Sequence, residues 1–367
     1  MKKEDPMRAA VLNAKADGKL DLRDDVDTVG PGPDEVLIRV RATGVCHSDL
    51  SVIDGRLPTS DDALVVGHEG AGEVLAVGDR VHTVRPGEHV VINWIPSCGR
   101  CPECRNNEAH LCMSFMADLF GKPRFRVAGQ PAFGMAGTGT WAERLVVPWQ
   151  AAIPIPDDLP FVHAALFSCG ISTGVGAVLN TAQVRPGSSV AVIGLGGVGL
   201  SVVQGARIAG ATTIVGVDPL PAKHAVARQL GATSVTAPAD LPAVRDEVTG
   251  GRGFDYVFEA VGRADAIRQA WEMTRRGGDV IVVGAGAPDD LVGISAYELL
   301  FASRNIRPSV YGGCDLNRDL PRLLELYRSG ALDLDSLISA RIRFDDLNDA
   351  VAALQRGDVL RQIVVFD

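Results

Sequence analysis

Two hydrophobic patterns divide the chain. Up to about residue 157, short stretches such as Glu35–Arg41 alternate apolar and polar residues, with glycine- and proline-rich turns between them. A period of two is typical of strands with one exposed face, so this part is predicted to be mostly β. Continuous apolar runs then alternate with helical patterns, which predicts a doubly wound parallel sheet. We therefore expect an α/β protein with a β-rich domain at 1–157, completed by 312–367, and a second domain at 158–311.

The second domain opens with its clearest motif. An apolar strand at Val190–Ile193 leads through Gly194-Leu-Gly-Gly-Val-Gly199 into a helical pattern at Leu200–Ala209. This G-x-G-x-x-G order gives a tight turn, a close backbone approach to a pyrophosphate, and close packing of helix on strand. The helix N-terminus adds free N–H groups and the positive end of a dipole. The predicted cofactor-binding residues of this turn are Gly194, Gly196, Gly197, Val198 and Gly199.

An acidic residue supports the same interpretation. The next apolar strand, Thr213–Val217, ends at Asp218, about 20 residues beyond the glycine turn, where a ribose 2′-hydroxyl would be accepted. A carboxylate there would repel a 2′-phosphate, so NAD is favoured over NADP. The alternative, a glycine-rich turn in an unrelated α/β domain, requires this order of strand, turn, helix, strand and acid to be a coincidence. Further strands are predicted at Ser234–Thr236, Phe254–Glu259, Val280–Gly284 and near Ile306–Tyr311, with a helix at Ala264–Thr274.

Four cysteines form the strongest local signal. Cys98, Cys101, Cys104 and Cys112 follow the spacing C-x2-C-x2-C-x7-C, which suits a closed tetrahedral thiolate site for structural zinc. His110 lies within this loop, and we do not expect it to be a ligand because four thiolates complete the site. A nucleic-acid-binding zinc module is the competing interpretation. It lacks support because the loop has no accompanying recognition helix or basic face.

Two shorter motifs are ambiguous from the residues alone. Gly44-Val-Cys-His-Ser-Asp49 places Cys46 beside His47, and Gly67-His-Glu-Gly-Ala-Gly72 places His68 beside Glu69 among glycines. These side chains are candidate metal ligands. Each also has a plain structural interpretation, in which Cys46 and His68 are core residues and His47 lies on the surface.

Composition narrows the function classes. The chain has 367 residues, 46% hydrophobic and 22% charged, with a net charge of −9. The negative charge argues against nucleic acid or an anionic membrane as partner. No apolar run has the length of a membrane span and the first residues lack a signal-peptide core, so we expect a cytoplasmic protein. Seven cysteines, four of them clustered, indicate metal rather than disulfides in such a compartment.

The motifs together resemble a known family. GVCHSD, GHEGAGEV, the four-cysteine loop, CGISTGVGA, VIGLGGVGL and VYGG occur in the order found in zinc-dependent alcohol dehydrogenases of the medium-chain dehydrogenase/reductase superfamily, from Met7 to Phe366. The resemblance implies a GroES-like, mostly β catalytic domain and a Rossmann NAD-binding domain. It also implies two Zn2+ per chain, one catalytic and one structural, a homo-dimer or homo-tetramer, and a small alcohol or aldehyde substrate.

The resemblance assigns the catalytic residues. It implies that Cys46, His68 and Cys169 hold the catalytic zinc, as in the Cys2His set of alcohol dehydrogenase. Glu69 would be the nearby acid that approaches the metal during ligand exchange, and Asp49 would orient His68. Ser48 would pass on the proton of the alcohol. The cysteine at 169 also favours an alcohol substrate, since polyol-type relatives usually carry a carboxylate there.

The remaining implied residues concern the cofactor and the pocket. His47 and Arg361 would contact the pyrophosphate, and Lys223 would contact the adenosine ribose. Many relatives have a histidine at the outer end of the proton relay, where this chain has Ser51, so the last step would use Ser51 or water. Trp94 and Trp141 fall where relatives place aromatic pocket residues, although core packing is the alternative for both.

The expected function is the reversible NAD-linked oxidation of a primary or secondary alcohol to an aldehyde or ketone. An aromatic or bulky apolar primary alcohol is favoured by the two tryptophans. The alternatives are a dehydrogenase for a formaldehyde–thiol adduct, a polyol dehydrogenase, and a non-enzymatic binding protein on the same fold. The last is opposed by the retained metal-ligand and serine side chains.

Overall fold

The computed structural model describes residues 6–13, 20–59, 63–114 and 122–366. The chain forms two compact units, each built from more than one segment. The first unit contains Met1–Cys169, Asp315–Leu320 and Ile338–Asp367. The second contains Gly170–Cys314 and Pro321–Leu337.

The strands of the described ranges are numbered along the chain. They are β1 Met7–Asn13, β2 Leu20–Thr28, β3 Glu35–Val45, β4 Ala63–Val65, β5 Gly70–Val77, β6 His89–Ile92, β7 Phe125–Val127, β8 Gln130–Gly134, β9 Arg144–Pro148, β10 Ala152–Pro154, β11 Ser189–Ile193, β12 Thr213–Val217, β13 Ser234–Thr236, β14 Phe254–Glu259, β15 Thr274–Val282, β16 Asn305–Pro308, β17 Ile338–Ile342 and β18 Arg361–Val365.

The helices are numbered in the same way. The α-helices are α1 His47–Ile53, α2 Pro102–Arg105, α3 Phe161–Phe167, α4 Gly170–Gly176, α5 Gly197–Ile208, α6 Pro221–Leu230, α7 Leu241–Thr249, α8 Ala264–Met273, α9 Ala296–Ala302, α10 Leu316–Arg328 and α11 Leu347–Arg356. Single 3-10 turns include Ala109–Leu111 and Val310–Gly313, and a π-helical segment runs over Ala177–Ala182.

The first unit is β-rich, as the alternating pattern predicts. Strands β1, β2, β7, β8 and β4 close a small barrel, and a second sheet has the order β10-β6-β5-β3-β18-β17, with β9 also paired to β3. Strand β18 runs antiparallel to β3 with Gln362 opposite Val45. This register brings Arg361 next to the turn that carries Cys46. A residue far along the chain is therefore fixed at the end of β3.

The second unit contains the predicted parallel sheet. Its six strands are ordered β13-β12-β11-β14-β15-β16 and all neighbours are parallel, so the glycine motif follows a central strand. Residues 190–193 of β11 are buried, which explains their continuous apolar run. This order, counted from the first strand outwards on both sides, is that of a dinucleotide-binding doubly wound sheet. The α/β prediction is confirmed.

The compact units depart from the domain limits expected from sequence in three places. Residues 312–314 belong to the second unit rather than to the first. Residues 158–169 belong to the first unit, because α3 packs against β3, β5 and β6. Residues 321–337 belong to the second unit rather than to the first. Main-chain groups of this segment are held there by side chains of α5, since Gln204 bonds the backbone of Asp333 and Arg207 bonds the carbonyl of Ala331.

Helix ends agree with the local sequence. Pro221 starts α6 at a position where its missing N–H costs nothing, and Gly231 ends that helix with φ +122°. Ser295 and Glu298 form a reciprocal capping box at the start of α9. Within the described ranges, no single helix is long and apolar enough to cross a bilayer. The consecutive segments Phe161–Phe167 and Gly170–Ala182 reach that length and composition only together, across a break.

Candidate active site and metal centres

Four buried side chains of the first unit converge on one point. The candidate ligand atoms of Cys46, His68, Glu69 and Cys169 all lie within 4.8 Å of one another. Cys46 lies between β3 and α1, His68 and Glu69 directly precede β5, and Cys169 follows the end of α3. The structure thus brings together the four side chains that the family resemblance implies as three metal ligands and a nearby acid. The set is called the catalytic cluster below.

Asp49 fixes the orientation of His68. One carboxylate oxygen lies 2.9 Å from Nδ1 of His68, and the other accepts the backbone N–H of Cys46 at 2.8 Å. Nε2 of the imidazole is therefore the nitrogen left for a metal. Burial acts to lower the pKa of His68, but the Asp49 carboxylate outweighs it and raises that pKa well above its usual value. Such a carboxylate increases the basicity of a histidine ligand.

Glu69 and Arg361 form a buried ion pair at the edge of the cluster. Nη1 of Arg361 lies 2.9 Å from Oε1 of Glu69, with side-chain exposures of 5% and 0%. Burial raises the pKa of Glu69 to about 8, against the opposing charge of Arg361. Apart from this ion pair, neither Glu69 oxygen has a hydrogen-bond partner among the described residues. The guanidinium, expected at the cofactor pyrophosphate, is also 3.3 Å from the carbonyl oxygen of Val45.

The chemistry of the catalytic cluster fits zinc. Two thiols and one imidazole are soft and borderline donors of the kind that bind Zn2+ in open catalytic sites. A hydrogen bond from Cys169, and then the charge of Arg361, lowers the pKa of Cys46 well below its usual value despite burial. The thiolate form that a metal requires is thereby favoured. The oxygens of Glu69, buried and without a hydrogen bond, fit an acid that can approach the same ion.

The four-cysteine loop forms the second candidate metal centre. The sulfurs of Cys98, Cys101, Cys104 and Cys112 lie within 4.8 Å of one another and none is in a disulfide. Backbone N–H groups, first that of Arg100, lower the pKa of the Cys98 thiol to about 6. Four converging thiols fit a closed structural zinc site. His110 is not part of this set.

Helix α1 carries the predicted proton-relay residues. The Ser48 hydroxyl oxygen lies 3.8 Å from the sulfur of Cys46, and the Ser48 side chain is partly exposed. His47 is exposed at the start of the same helix. Ser51 is buried and its hydroxyl donates to the carbonyl oxygen of His47 at 3.0 Å. The Ser51 hydroxyl is therefore already bonded to the helix backbone.

The two predicted pocket tryptophans occupy different environments. The half-buried ring of Trp94 meets the ring of His68 edge-on, with centroids 5.7 Å apart. Trp141 has no exposed surface, and its Nε1 donates to the carbonyl oxygen of Gly44 at 3.0 Å. Its indole packs in the main hydrophobic core and closely covers Gly67. The interpretation of Trp141 as a pocket residue is replaced by core packing, whereas Trp94 lies beside the catalytic cluster.

The glycine turn of the second unit has room for a phosphate at one position. A Cβ added at Gly196 would meet no atom within 4 Å, whereas one added at Gly199 would lie 1.7 Å from the carbonyl oxygen of Gly194. Gly199 therefore permits the close approach of α5 to the turn. Gly196 is the N-cap residue of that twelve-residue helix. Gly197 and Val198 follow it in the first turn, so the backbone N–H groups there suit a pyrophosphate.

Asp218 and Lys223 lie together beyond β12. The buried Asp218 carboxylate accepts the N–H groups of Leu195 and Leu220, both at 2.9 Å, and its Oδ2 is 3.3 Å from Nζ of Lys223. The acid is thus held at the carboxyl end of the strand, beside the turn between β11 and α5. That is the place where a ribose hydroxyl is recognised in this type of sheet.

Sequence reasoning missed the buried hydroxyls around the catalytic cluster. Oγ1 of Thr43 donates to the carbonyl oxygen of Glu69 and is 2.8 Å from Oγ1 of Thr140. The Ser168 hydroxyl donates to the carbonyl oxygen of His68 at 3.1 Å. Since threonine and serine are frequent throughout the chain, only the three-dimensional contacts distinguish these three.

The comparison with known proteins agrees with this geometry. Residues 32–157 match the alcohol dehydrogenase GroES-like domain, and residues 197–329 match the zinc-binding dehydrogenase family. S-(hydroxymethyl)glutathione dehydrogenase of Escherichia coli O1:K1 / APEC is 36% identical over 371 residues, which cover 98% of this chain and 99% of that protein.

Two solved structures are similar over the whole chain. Benzyl alcohol dehydrogenase from Acinetobacter calcoaceticus has a TM-score of 0.90 at 29% identity, covering 98% of this chain and 99% of that one. A zinc-binding dehydrogenase from Sinorhizobium meliloti 1021, solved bound to NADP, has a TM-score of 0.80 at 28% identity, covering 99% and 100%.

Fold, ligand set and glycine turn together define a two-domain dehydrogenase that uses zinc and a nicotinamide cofactor. The chain belongs to the zinc-dependent alcohol dehydrogenases of the medium-chain dehydrogenase/reductase superfamily. The family resemblance, the GroES-like and Rossmann fold class and the assignment as an oxidoreductase are thereby confirmed.

Proposed function

We propose that this protein is an NAD-linked zinc alcohol dehydrogenase that interconverts a primary or secondary alcohol and its aldehyde or ketone. The observation that carries the proposal is the convergence of Cys46, His68 and Cys169, from three separate segments, within 4.8 Å of one another and of Glu69. A non-enzymatic protein on this fold would have no need for such a set.

Two zinc ions per chain follow from the two clusters. Cys46, His68 and Cys169 would hold the catalytic ion, and the four-cysteine loop would hold the structural ion. When bound, catalytic zinc acts as a Lewis acid that lowers the pKa of the substrate hydroxyl, and NAD accepts the hydride. Metal analysis of purified protein tests this part. We expect about two zinc per chain, and one or none contradicts it.

The chain's own residues orient the ligands and move the proton. Asp49 holds the imidazole of His68 with Nε2 toward the cluster. The Ser48 hydroxyl, which lies 3.8 Å from the Cys46 sulfur, would accept the proton that the substrate hydroxyl loses and pass its own proton on. Because Ser51 bonds the backbone of His47, it would serve the relay only after breaking that bond, and water is the simpler exit.

NAD rather than NADP is proposed as the cofactor. The glycine turn would hold the pyrophosphate, Asp218 would accept the ribose hydroxyls, and Lys223 would contact the same ribose. A 2′-phosphate would meet the Asp218 carboxylate, a like-charge contact worth several kcal/mol. We expect NAD to exceed NADP in kcat/KM by about 100-fold or more. Asp218→Asn should narrow that ratio, whereas the exposed Asp240→Asn should leave it unchanged.

The proposal of an aromatic or bulky apolar substrate is supported by Trp94. Its ring lies against His68 and offers an apolar surface beside the catalytic cluster, which favours an aromatic or bulky apolar primary alcohol. The test is a panel of alcohols with NAD. Benzyl alcohol should have a higher kcat/KM than ethanol, and Trp94→Ala should reduce that preference. Equal or reversed preference in the wild type removes the aromatic proposal and leaves the reaction class intact.

A formaldehyde–thiol adduct is the second candidate substrate. It is supported by the 36% identity to S-(hydroxymethyl)glutathione dehydrogenase over nearly the full chain. A polyol is disfavoured because Cys169, rather than a carboxylate, belongs to the ligand set. Adding S-(hydroxymethyl)glutathione to the panel separates the two candidates. Activity with the adduct far above that with benzyl alcohol would favour the second.

We also propose a homo-dimer or homo-tetramer in the cytoplasm. Helix α9 and strand β16, at the edge of the described parallel sheet, expose a group of apolar side chains, Tyr297, Leu299, Leu300, Phe301 and Ile306. A second copy of the chain would cover them. Seven free cysteines suit a reducing compartment. Sedimentation analysis of the wild type and of Leu300→Lys tests the assembly, because the charged variant should dissociate.

A further inference from the structure

Ser168 lies at the junction of two segments that carry catalytic ligands. It immediately precedes Cys169, its side chain has no exposed surface, and its backbone N–H bonds the carbonyl oxygen of Ala165 at the end of α3. Its single hydroxyl hydrogen is shared between two backbone acceptors, the carbonyl oxygen of His68 at 3.1 Å and the closer carbonyl oxygen of Ile92. One side chain therefore joins the residue before one ligand to the backbone of another.

The two carbonyls belong to neighbouring strands. His68 lies two residues before β5, and Ile92 is the last residue of β6, opposite Gly70 in the register of the two strands. The Ser168 hydroxyl spans the ends of both strands from the C-terminal end of α3. This bond adds a distance-specific contact to the apolar packing of α3 against the strands, since a hydrogen bond is directional and apolar packing is not.

We propose that Ser168 is a positioning residue that sets the separation of His68 and Cys169 for binding one metal ion. The inference rests on the proposed catalytic zinc at this cluster. Metal sites tolerate ligand displacements of only about 0.2 Å, so a small shift at the end of α3 would move the sulfur of Cys169 out of range. Cys46 and Asp49 belong to another segment and would keep their places.

A general packing role for Ser168 would have a different experimental effect. Loss of packing at Ser168 would lower the stability of the whole first unit, including the four-cysteine loop. A positioning role predicts that the catalytic zinc alone is affected, because Ser168 adjoins Cys169 in the chain and its hydroxyl bonds the backbone of His68. The two zinc sites of one chain thus provide an internal comparison.

The experiment measures zinc release from the full-length holoenzyme to a colorimetric chelator, in wild type, Ser168→Ala and Ser168→Gly. Thr274→Val is the matched control, since it removes an equally buried hydroxyl that bonds the carbonyl of Ala270 in the second unit. A second readout is the visible spectrum of enzyme with Co2+ in the catalytic site, which reports ligand geometry without substrate. If the Ser168→Ala protein does not fold, Ser168→Gly is used for both measurements.

We expect the Ser168 variants to bind the catalytic zinc about 10- to 100-fold more weakly, with unchanged release from the four-cysteine site and a shifted cobalt spectrum. Thr274→Val should match wild type in both. Retention of both ions as in wild type overturns the inference, and so does equal weakening of both sites. If wild type itself holds no zinc at the catalytic cluster, the proposed function fails instead, and this inference fails with it.

Discussion

His68 and Asp49 form a hydrogen-bonded pair shut away from solvent, with Nδ1 and Oδ1 2.9 Å apart and side-chain exposures of 3% and 0%. The same carboxylate accepts the backbone N–H of Cys46. Asp49 therefore determines both the imidazole orientation of one proposed ligand and the backbone position of another. A change of the Asp49 carboxylate should therefore act on both proposed ligands at once.

Asp49→Asn is expected to weaken zinc at the catalytic cluster and to lower kcat/KM by about 10- to 100-fold. The amide keeps the shape but loses the charge that supports the imidazole as a ligand. Zinc analysis and steady-state kinetics measure the two effects. The exposed Asp54→Asn at the other end of α1 is the control. Normal zinc retention in Asp49→Asn would show that His68 does not need this partner.

Alanine should lower the melting temperature at Gly199, whereas at Gly196 it should weaken cofactor binding without affecting folding. At Gly199 the new Cβ would lie 1.7 Å from the Gly194 carbonyl oxygen, so α5 must shift and the melting temperature should fall. At Gly196 the Cβ meets nothing within 4 Å, so the protein should fold normally. NADH binding by fluorescence should nevertheless weaken about tenfold or more in Gly196→Ala, since the methyl occupies the proposed pyrophosphate space. Unchanged affinity would place the phosphates elsewhere.

Removal of one thiol tests the four-cysteine loop. Cys112→Ala should lose one zinc per chain and unfold at a lower temperature, because structural zinc contributes directly to folding free energy. Cys314→Ala removes another buried thiol, outside both metal clusters, and should keep the zinc content of the wild type. Zinc analysis and thermal unfolding of the two variants decide the matter. Equal zinc content in both would rule out a metal in the loop.

The ion pairs of Glu35 should make a pH-dependent contribution to the free energy of unfolding. Its carboxylate is ion-paired with Lys122 and the buried Arg124, and it accepts the N–H of Gly32 at 2.9 Å. Burial acts to raise the pKa of Glu35, but these partners, Lys122 first, lower it below its usual 4.5. A lowered pKa means that the stabilisation is present above that value and is lost as pH falls through the folded-state pKa.

Glu35→Gln should therefore destabilise the protein by about 3–5 kcal/mol at pH 7, since a buried guanidinium loses this counter-charge. The difference from wild type should shrink as pH falls below about 4.5. Thermal unfolding at several pH values measures it. Asp79→Asn, on an exposed turn of the same unit, should show no such dependence. A constant difference between wild type and Glu35→Gln would exclude the ionised pair as its cause.

The candidate metal ligands of the four-cysteine loop and the glycine turn could be predicted because each is a short motif with a fixed spacing of residue types. Cysteines at fixed spacing and G-x-G-x-x-G each lie within one loop, so few residues determine them. The boundaries of helices and strands were harder to predict from the sequence. The sequence predicts a helix through Thr274 and a strand from Val280, yet β15 begins at Thr274 and its register with β14 is irregular near that end.

Contacts between distant segments could not be predicted from the sequence. The position of Trp141 in a motif did not reveal that its ring is enclosed by the core, because burial depends on how several strands pack. The pairing of Glu69 with Arg361 depends on the register of β18 with β3. The bond of Ser168 to His68 depends on the position of α3 against β5 and β6. These three contacts could be identified only once the pairing of the strands was known from the structure.

The insertion of β18 between β3 and β17 has a consequence for biosynthesis. Arg361 is 316 positions away from Val45, the residue whose carbonyl it contacts. On the ribosome, the part of β3 at residues 42–45 would lack its β18 partner until the whole second unit has been translated, whereas residues 35–39 can already pair with β9. A nascent chain stalled before β18 would expose that edge of β3 and keep Glu69 without its counter-ion, which makes such a chain a natural client for chaperones.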